Sequence, residues 1–245
     1  MKKNRLIVIF IPCLFFALIS CEPDNYDGPN AQVYGSIRDA STGELVETEL
    51  INGNVIRTYE QGFVVEQRRN WLIKNSGEYR NDLVFAGDYR YELHECNFYP
   101  EEGMFTLTEG ENNIDFDVTP YIRIIDPSIQ KSGEEIIATF SLEAGGQEVT
   151  LSEIRLFAFS DSYVGNFTQY ELENSNDGEQ FSPPVEIDES TTYTLTIDLS
   201  ADENFFPYAK NYYFRIGALA TVTDVENSGL VKFNYSPYVV IPLNQ

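Results

Sequence analysis

The sequence predicts an all-β chain: two β-sandwich domains in tandem, carried behind a lipidated flexible tether. Three observations lead there. Apolar and polar residues alternate with period two in "VYGSIRD", "YRYELH", "IIATFSL" and "YYFRIGALA". Turn signals punctuate these runs at Asn52-Gly53, Ser76-Gly77, Gly87-Asp88, Gly145-Gly146 and Asp177-Gly178. No stretch carries the spacing of an amphipathic helix. Short strands at such intervals build sandwiches or barrels.

Residues 1–20 read as a signal peptide. Lys2, Lys3 and Arg5 precede an apolar run from Leu6 to Ile19, broken only by Pro12 and Cys13. The run is short of the roughly 20 apolar residues a membrane span needs. "LISC", ending on Cys21, resembles the lipobox of bacterial lipoproteins. The resemblance implies that Cys21 is acylated, and several acyl chains on one cysteine anchor stably where a single chain would not. Residues 21–30 are polar, with Pro23, Gly28 and Pro29, and read as a tether. Their acidic "EPDNYD" resembles the surface-export signal of Gram-negative gut-type bacteria that feed on polysaccharides. That implies an outer-membrane lipoprotein facing the cell exterior.

The chain has 16 Lys and Arg against 39 Asp and Glu, a net charge of −23. Loss of the leader's three cations would deepen that excess. Nucleic acid and anionic lipid are therefore poor partners. The bland meaning of the charge is a solubilising surface. Calcium is the sharper one, because hard cations take carboxylate oxygens. "ENSNDGEQ" (Glu173 to Gln180) has alternating oxygen donors and a glycine, but not the full spacing or the terminal bidentate glutamate of a calcium loop. No cofactor is expected, with calcium as the alternative. Beyond Cys13 and Cys21 the chain has one cysteine, Cys96, so no internal disulfide is available.

Residues 31–119 form the first domain. "VYGSIRDASTGELV" resembles the opening of carboxypeptidase-regulatory-like, transthyretin-like domains, with Val33, Gly35, Ile37 and Asp39 on the first strand and Thr42-Gly43 in its turn. "LVFAGDYRYELHECNFYP" resembles their later strand pair around Gly87. Such domains are seldom catalytic, which implies a scaffold or docking role. Residues 120–245, beyond Pro120, resemble an immunoglobulin or fibronectin type III sandwich. Tyr212, Phe214, Ile216 and Ala218 share one face there, and Tyr212 is the natural tyrosine-corner residue. "VENSG" forms the following loop and "YSPYVVIPL" the last strand. The whole arrangement resembles a family of surface lipoproteins encoded beside outer-membrane transporters and their starch-utilisation-type binding lipoproteins. It implies polysaccharide capture or a place in the transporter assembly, and it carries over no catalytic residues.

Catalytic patterns are sparse. His94 is the only histidine, and no nucleophile elbow, P-loop or dinucleotide fingerprint accompanies it. His94 and Cys96 share a face if they lie on one strand, too few donors for a zinc site. Glycoside hydrolysis needs two carboxylates, and 39 acidic residues cannot single out a pair. A small glycoside-acting enzyme is thus the weaker alternative to a non-catalytic role. Aromatic residues, at 14% of the chain, are more informative. Tyr163, Phe167 and Tyr170 stand in a polar loop-like segment, as do Phe205, Phe206 and Tyr208. Trp71 sits beside Arg68, Arg69 and Asn70. Flat rings near amides and acids suit sugars, whose C–H faces stack while their hydroxyls hydrogen-bond. Tyr163, Phe167, Tyr170, Phe206, Tyr208 and Trp71 are therefore the glycan-binding candidates. The expected partner is a polysaccharide or oligosaccharide. Docking on an outer-membrane transporter and its binding lipoprotein is the alternative.

Overall fold

The computed structural model describes residues 27–222 and 232–243. Cys21 with its leader, and the "VENSG" loop, lie outside the described residues. In the first domain the strands are β1 (Ala31–Asp39), β2 (Val55–Glu60), β3 (Arg68–Leu72), β4 (Glu78–Val84), β5 (Gly87–Leu93), β6 (Glu101–Leu107), β7 (Gly110–Asn113) and β8 (Phe116–Val118). In the second they are β9 (Ile122–Ser132), β10 (Glu135–Ala144), β11 (Val149–Phe159), β12 (Gly178–Glu186), β13 (Tyr193–Asp198), β14 (Lys210–Val222), β15 (Phe233–Tyr235) and β16 (Val239–Leu243).

Each domain is two sheets closed over one core, the expected tandem of sandwiches. In the first, β4-β1-β7 (with β8 also on β1) faces β3-β2-β5-β6. β1 shows why: its alternate residues Ala31, Val33, Ile37 and Asp39 are buried. Gly35 shares that face because the chain before β8 presses on it. A Cβ there would lie 1.8 Å from the Ile114 carbonyl oxygen. The Thr42-Gly43 turn closes with the Gly43 N–H donating to the Asp39 carbonyl at 2.8 Å. Between the sheets the core is largely aromatic, with Trp71 packed on Tyr79, Tyr89 and Phe105 at centroid distances of 5.8 to 6.2 Å.

In the second domain, β13-β10-β9 faces β12-β11-β14-β15, with β16 also on β14. Tyr212, Phe214, Ile216 and Ala218 point into the shared core. The Tyr212 hydroxyl donates to the Tyr208 carbonyl at 3.2 Å and accepts from the Tyr208 N–H at 3.3 Å. The last stretch is two strands rather than one, divided around Pro237, and Pro242 lies inside edge strand β16. An edge tolerates a residue that cannot donate to the ladder.

The outer face of β14 is covered by the first domain. Arg215 points that way and is fully buried. Its Nε donates to the Ser236 carbonyl at 2.8 Å, one terminal nitrogen to Thr48 at 2.8 Å and Val164 at 3.4 Å, and the other to the Asn75 carbonyl at 3.1 Å and the Glu47 carboxylate. Asn97 and Asn234 continue the seam: the Asn97 amide donates to the Phe233 carbonyl at 2.9 Å, and the Asn234 amide to the Asn97 carbonyl at 2.8 Å. Gly217 is required beside them. A Cβ would stand 2.5 Å from the Phe157 ring, which lies across it.

Candidate functional site

Three of the predicted sugar-binding rings are not surfaces. Phe206 is 3% exposed. The 3-10 turn Glu203–Phe205 rotates it inward, onto Tyr212 at 5.1 Å and Phe214 at 6.2 Å. Tyr170 is partly buried between Phe159, Phe205 and Phe206. Trp71 is 5% exposed, because the pleat that turns Arg68, Asn70 and Leu72 outward turns Trp71 into the core. Tyr163, Phe167 and Tyr208 are exposed, but none of them stacks on another ring among the described residues. The loop carrying Tyr163 and Phe167 is tied to the first domain, through the Asn75 amide to the Ser162 carbonyl at 2.7 Å and the Phe167 N–H to Glu49 at 3.2 Å. His94 and Cys96 lie beyond the end of β5, separated by Glu95 at a φ of 55°, not on one strand. Burial pushes the Cys96 thiol up to about 12.

The "ENSNDGEQ" segment spends its polar groups on Asp202. That carboxylate is buried and accepts from the Ser175 hydroxyl at 2.6 Å and the Asn174 amide at 3.2 Å. Among the described residues no group of three or more His, Cys, Asp or Glu is placed to hold a metal.

The surroundings of Trp71 do form a site. β3 and β4 are joined by a tight turn, in which Lys74 N–H donates to the Glu78 carbonyl at 2.7 Å, and the single bridge Ile73–Tyr79 links them. The two strands then part into opposite sheets, where each is an edge. A groove of about 570 Å³ opens between them. Its floor includes Trp71 and Tyr89. Its walls carry Gln67, Arg69 and Asn70 from the β3 side, and Asn81, Leu83 and Phe85 from the β4 side. Phe63 overhangs it from the loop between β2 and β3.

That loop holds an apolar tip, "FVV", out in solvent. Phe63 is 62% exposed and Val64 wholly so. The tip is pinned at its base. Gln61 N–H donates to the Asp88 carbonyl at 2.9 Å, its side-chain amide to Glu66 at 3.0 Å, and Arg90 pairs with Glu66 at 2.7 Å. Arg90 and Gln61 together hold the Glu66 carboxyl below its usual range. A fixed loop presents its ring without the ordering cost of a free one.

Of the polar groups of the groove, the Thr58 and Tyr89 hydroxyls donate to the Arg69 and Phe85 carbonyls, and those on the β3 side are uncommitted. Among the described residues the side chains of Gln67, Arg69 and Asn70 make no hydrogen bond or ion pair. Asn81 uses only its carbonyl oxygen, for the Leu83 N–H at 3.0 Å. Glu60 is the one carboxylate of the lining. The groove therefore offers an aromatic face and several amides, and not the two carboxylates of a glycosidase. A second cavity of about 360 Å³ lies between the domains, but its Arg123 is already held by Asp39 and Glu143. Composition hid Phe63, Asn81 and Phe85. The available signal was an apolar triplet in a loop between two short strands.

Two family models match the chain: the N-terminal domain of a protein of unknown function, DUF3823, over residues 31–119, and the domain of unknown function DUF3823_C over residues 122–239. Among solved structures, the chain is similar to a "putative carbohydrate binding protein" from Bacteroides uniformis. The two share 49% identity over 88% of this chain and all of the other, with a TM-score of 0.82. DUF3823 family proteins from Parabacteroides merdae (19% identity, 88% of this chain and 100% of that one) and Bacteroides ovatus (16%, 87% and 100%) share the fold, each with a TM-score of 0.70. No curated protein matches.

Proposed function

Since the chain belongs to the DUF3823 family in both of its domains, we propose that it is a non-catalytic glycan-binding lipoprotein of the outer membrane, accessory to polysaccharide capture and uptake. The observation that carries this reading is the β3–β4 groove: a pinned, exposed Phe63 ring beside side-chain amides that have no internal partner. Polar groups left open in this way are the ones a ligand's hydroxyls can satisfy, while a ring supplies the stacking surface. The description of the 49% identical Bacteroides uniformis protein as a putative carbohydrate binder supports it. Nothing in the groove or among the relatives points to catalysis.

Stacking contacts are individually modest, so dissociation constants on the order of micromolar to millimolar are expected. Repeated sites on a cell surface and repeated units in a polysaccharide raise the effective strength. Affinity electrophoresis against a polysaccharide panel tests the site. Phe63→Ala and Asn70→Ala should each release the retarded band, whereas Tyr163→Ala and Tyr208→Ala should not. Retention that survives the first pair and fails with the second would move the site to the second domain. The anchor is a separate matter: Cys21→Ala should abolish palmitate labelling and membrane fractionation. The solvent-facing "FVV" tip favours a second reading, docking on a protein partner such as the transporter assembly, because exposed apolar patches mark interaction surfaces. A pull-down that needs Val64 and Val65 but no polysaccharide would select it.

A further inference from the structure

Strand β3 is the wall between two cavities. The groove lies on one side. On the other is a smaller cavity of about 290 Å³, lined in part by Arg57, Arg68, Asn70, Leu72 and Lys232. Because side chains alternate along a strand, Arg69 faces the groove and Arg68 the smaller cavity, with Asn70 bordering both.

The two arginines are unusual in this chain. Acidic residues outnumber basic ones by 39 to 16. Every other arginine among the described residues has a carboxylate partner. Arg68 and Arg69 alone have none, although both are exposed and free to reach one. The one carboxylate beside them in the groove, Glu60, pairs with neither. Glu95, in the smaller cavity, is taken by Arg57. Lys232 in the same cavity donates to the carbonyls of Asn52 and Gly53 rather than to an acid. The result is a positive edge on a strongly negative molecule.

Resting on the glycan-binding reading of the groove, we infer that the bound glycan is acidic, with carboxylate or sulfate groups taken by Arg68 and Arg69 on either side of β3. A guanidinium presents a planar fork that matches either anion with two parallel N–H donors. The chain's overall charge opposes an acidic ligand at long range. That repulsion is screened beyond about 8 Å at physiological salt, whereas a direct arginine contact is not. Overall charge also disfavours a rigid polyanion such as duplex nucleic acid, which would have to approach the acidic surface over many charges.

The test is isothermal titration calorimetry on the full-length protein in detergent. The probes are polygalacturonate, alginate, chondroitin sulfate and heparan sulfate, each beside its methyl-esterified or desulfated form. Inorganic polyphosphate serves as a plain polyanion. At least one acidic glycan should bind about tenfold more tightly than its neutralised form, as one or two charge-assisted contacts provide. Which pair shows this identifies carboxylate or sulfate. The preference should shrink with added salt and collapse in the Arg68→Gln, Arg69→Gln double variant, whose loss for the acidic form exceeds its loss for the neutral one. Both arginines are exposed, so an unchanged thermal melt confirms that the variant is folded. Neutral forms binding as well as acidic ones would overturn the inference and leave the groove's function standing. A preference that survives the double variant would overturn it too, as would polyphosphate binding as tightly as any glycan. Binding of no glycan, acidic or neutral, would overturn both.

Discussion

At the face between the domains, Arg215 is sealed from solvent and each nitrogen of its guanidinium has a fixed partner. At the edge of the first domain, Arg68 and Arg69 stand in water with none. The same contrast holds for the amides. Asn97 and Asn234 are spent on backbone groups across the seam, whereas Asn70 is open. A buried cation without partners would be prohibitively costly, so the seam had to close around Arg215. An exposed cation carries no such demand, and what it does with its free donors is left to a ligand. The first region holds the shape, and the second is available for work.

The contrast can be broken most violently at Arg215. Arg215→Ala leaves the largely buried Glu47 carboxylate uncompensated and should cost about 3–5 kcal/mol, read from the urea midpoint. A loss under about 1 kcal/mol would mean that the seam is wet and the comparison false. Next comes Gly217→Ala. The added methyl drives into the Phe157 ring and should cost about 1–3 kcal/mol by the same measurement.

Glu49 sharpens the comparison from the other side, because the seam satisfies it incompletely. It is buried, and its Oε1 has no partner among the described residues. Burial pushes its carboxyl above the usual value, against the pull of the Phe167 N–H and Lys232. The folded chain therefore keeps the Glu49 proton to higher pH than the unfolded chain does. Its contribution to stability is full below the ordinary value of 4.5 and is lost as pH rises through the folded value. Glu49→Gln should gain about 1 kcal/mol at pH 7, gain nothing at pH 4, and flatten the stability profile between. An equal effect at both pH values would rule out titration as the cause. The smallest effect belongs to the edge: Arg68→Gln and Arg69→Gln should each move the melting curve by no more than about 0.5 kcal/mol.

Much of this was legible in the sequence. Alternation in "VYGSIRD" places Val33 and Ile37 inside, and "YYFRIGA" places Tyr212, Phe214 and Ile216 on one face. The same alternation leaves Arg215 on the opposite face, where it reads as exposed. Its cover comes from Glu47, Thr48 and Asn75, far away in the chain, and no local pattern records that. Trp71 shows the reverse error. Its polar neighbours suggest a surface ring, but period two within "RRNWL" already turns it away from Asn70. Phe206 was unreadable for another reason: a single 3-10 turn sets the direction of the ring, and its polar context "ADEN" says nothing about that. The groove escaped notice because its walls come from two strands that separate only in three dimensions.

The stitching of the seam also fixes an order of events. Asn97 waits for Phe233 and Asn234, partners 136 and 137 positions later. A chain made from its N-terminus can pair the strands of its first domain early, but Asn97 lacks its second-domain partners until Phe233 and Asn234 arrive, and Glu47 and Thr48 lack theirs until Arg215 does. Closing so long a loop adds only logarithmically to the entropic cost, yet it slows the search. The nascent first domain is therefore an unfinished object, with a polar seam that water must occupy. A message truncated before Phe233 would leave Asn97 without its Phe233 and Asn234 partners, and only contacts such as Asn75 to Ser162 and Phe167 to Glu49 would link the two sandwiches. The final strands complete the seat of Arg215: the Ser236 carbonyl, which accepts from its Nε, is the last of its partners to be made.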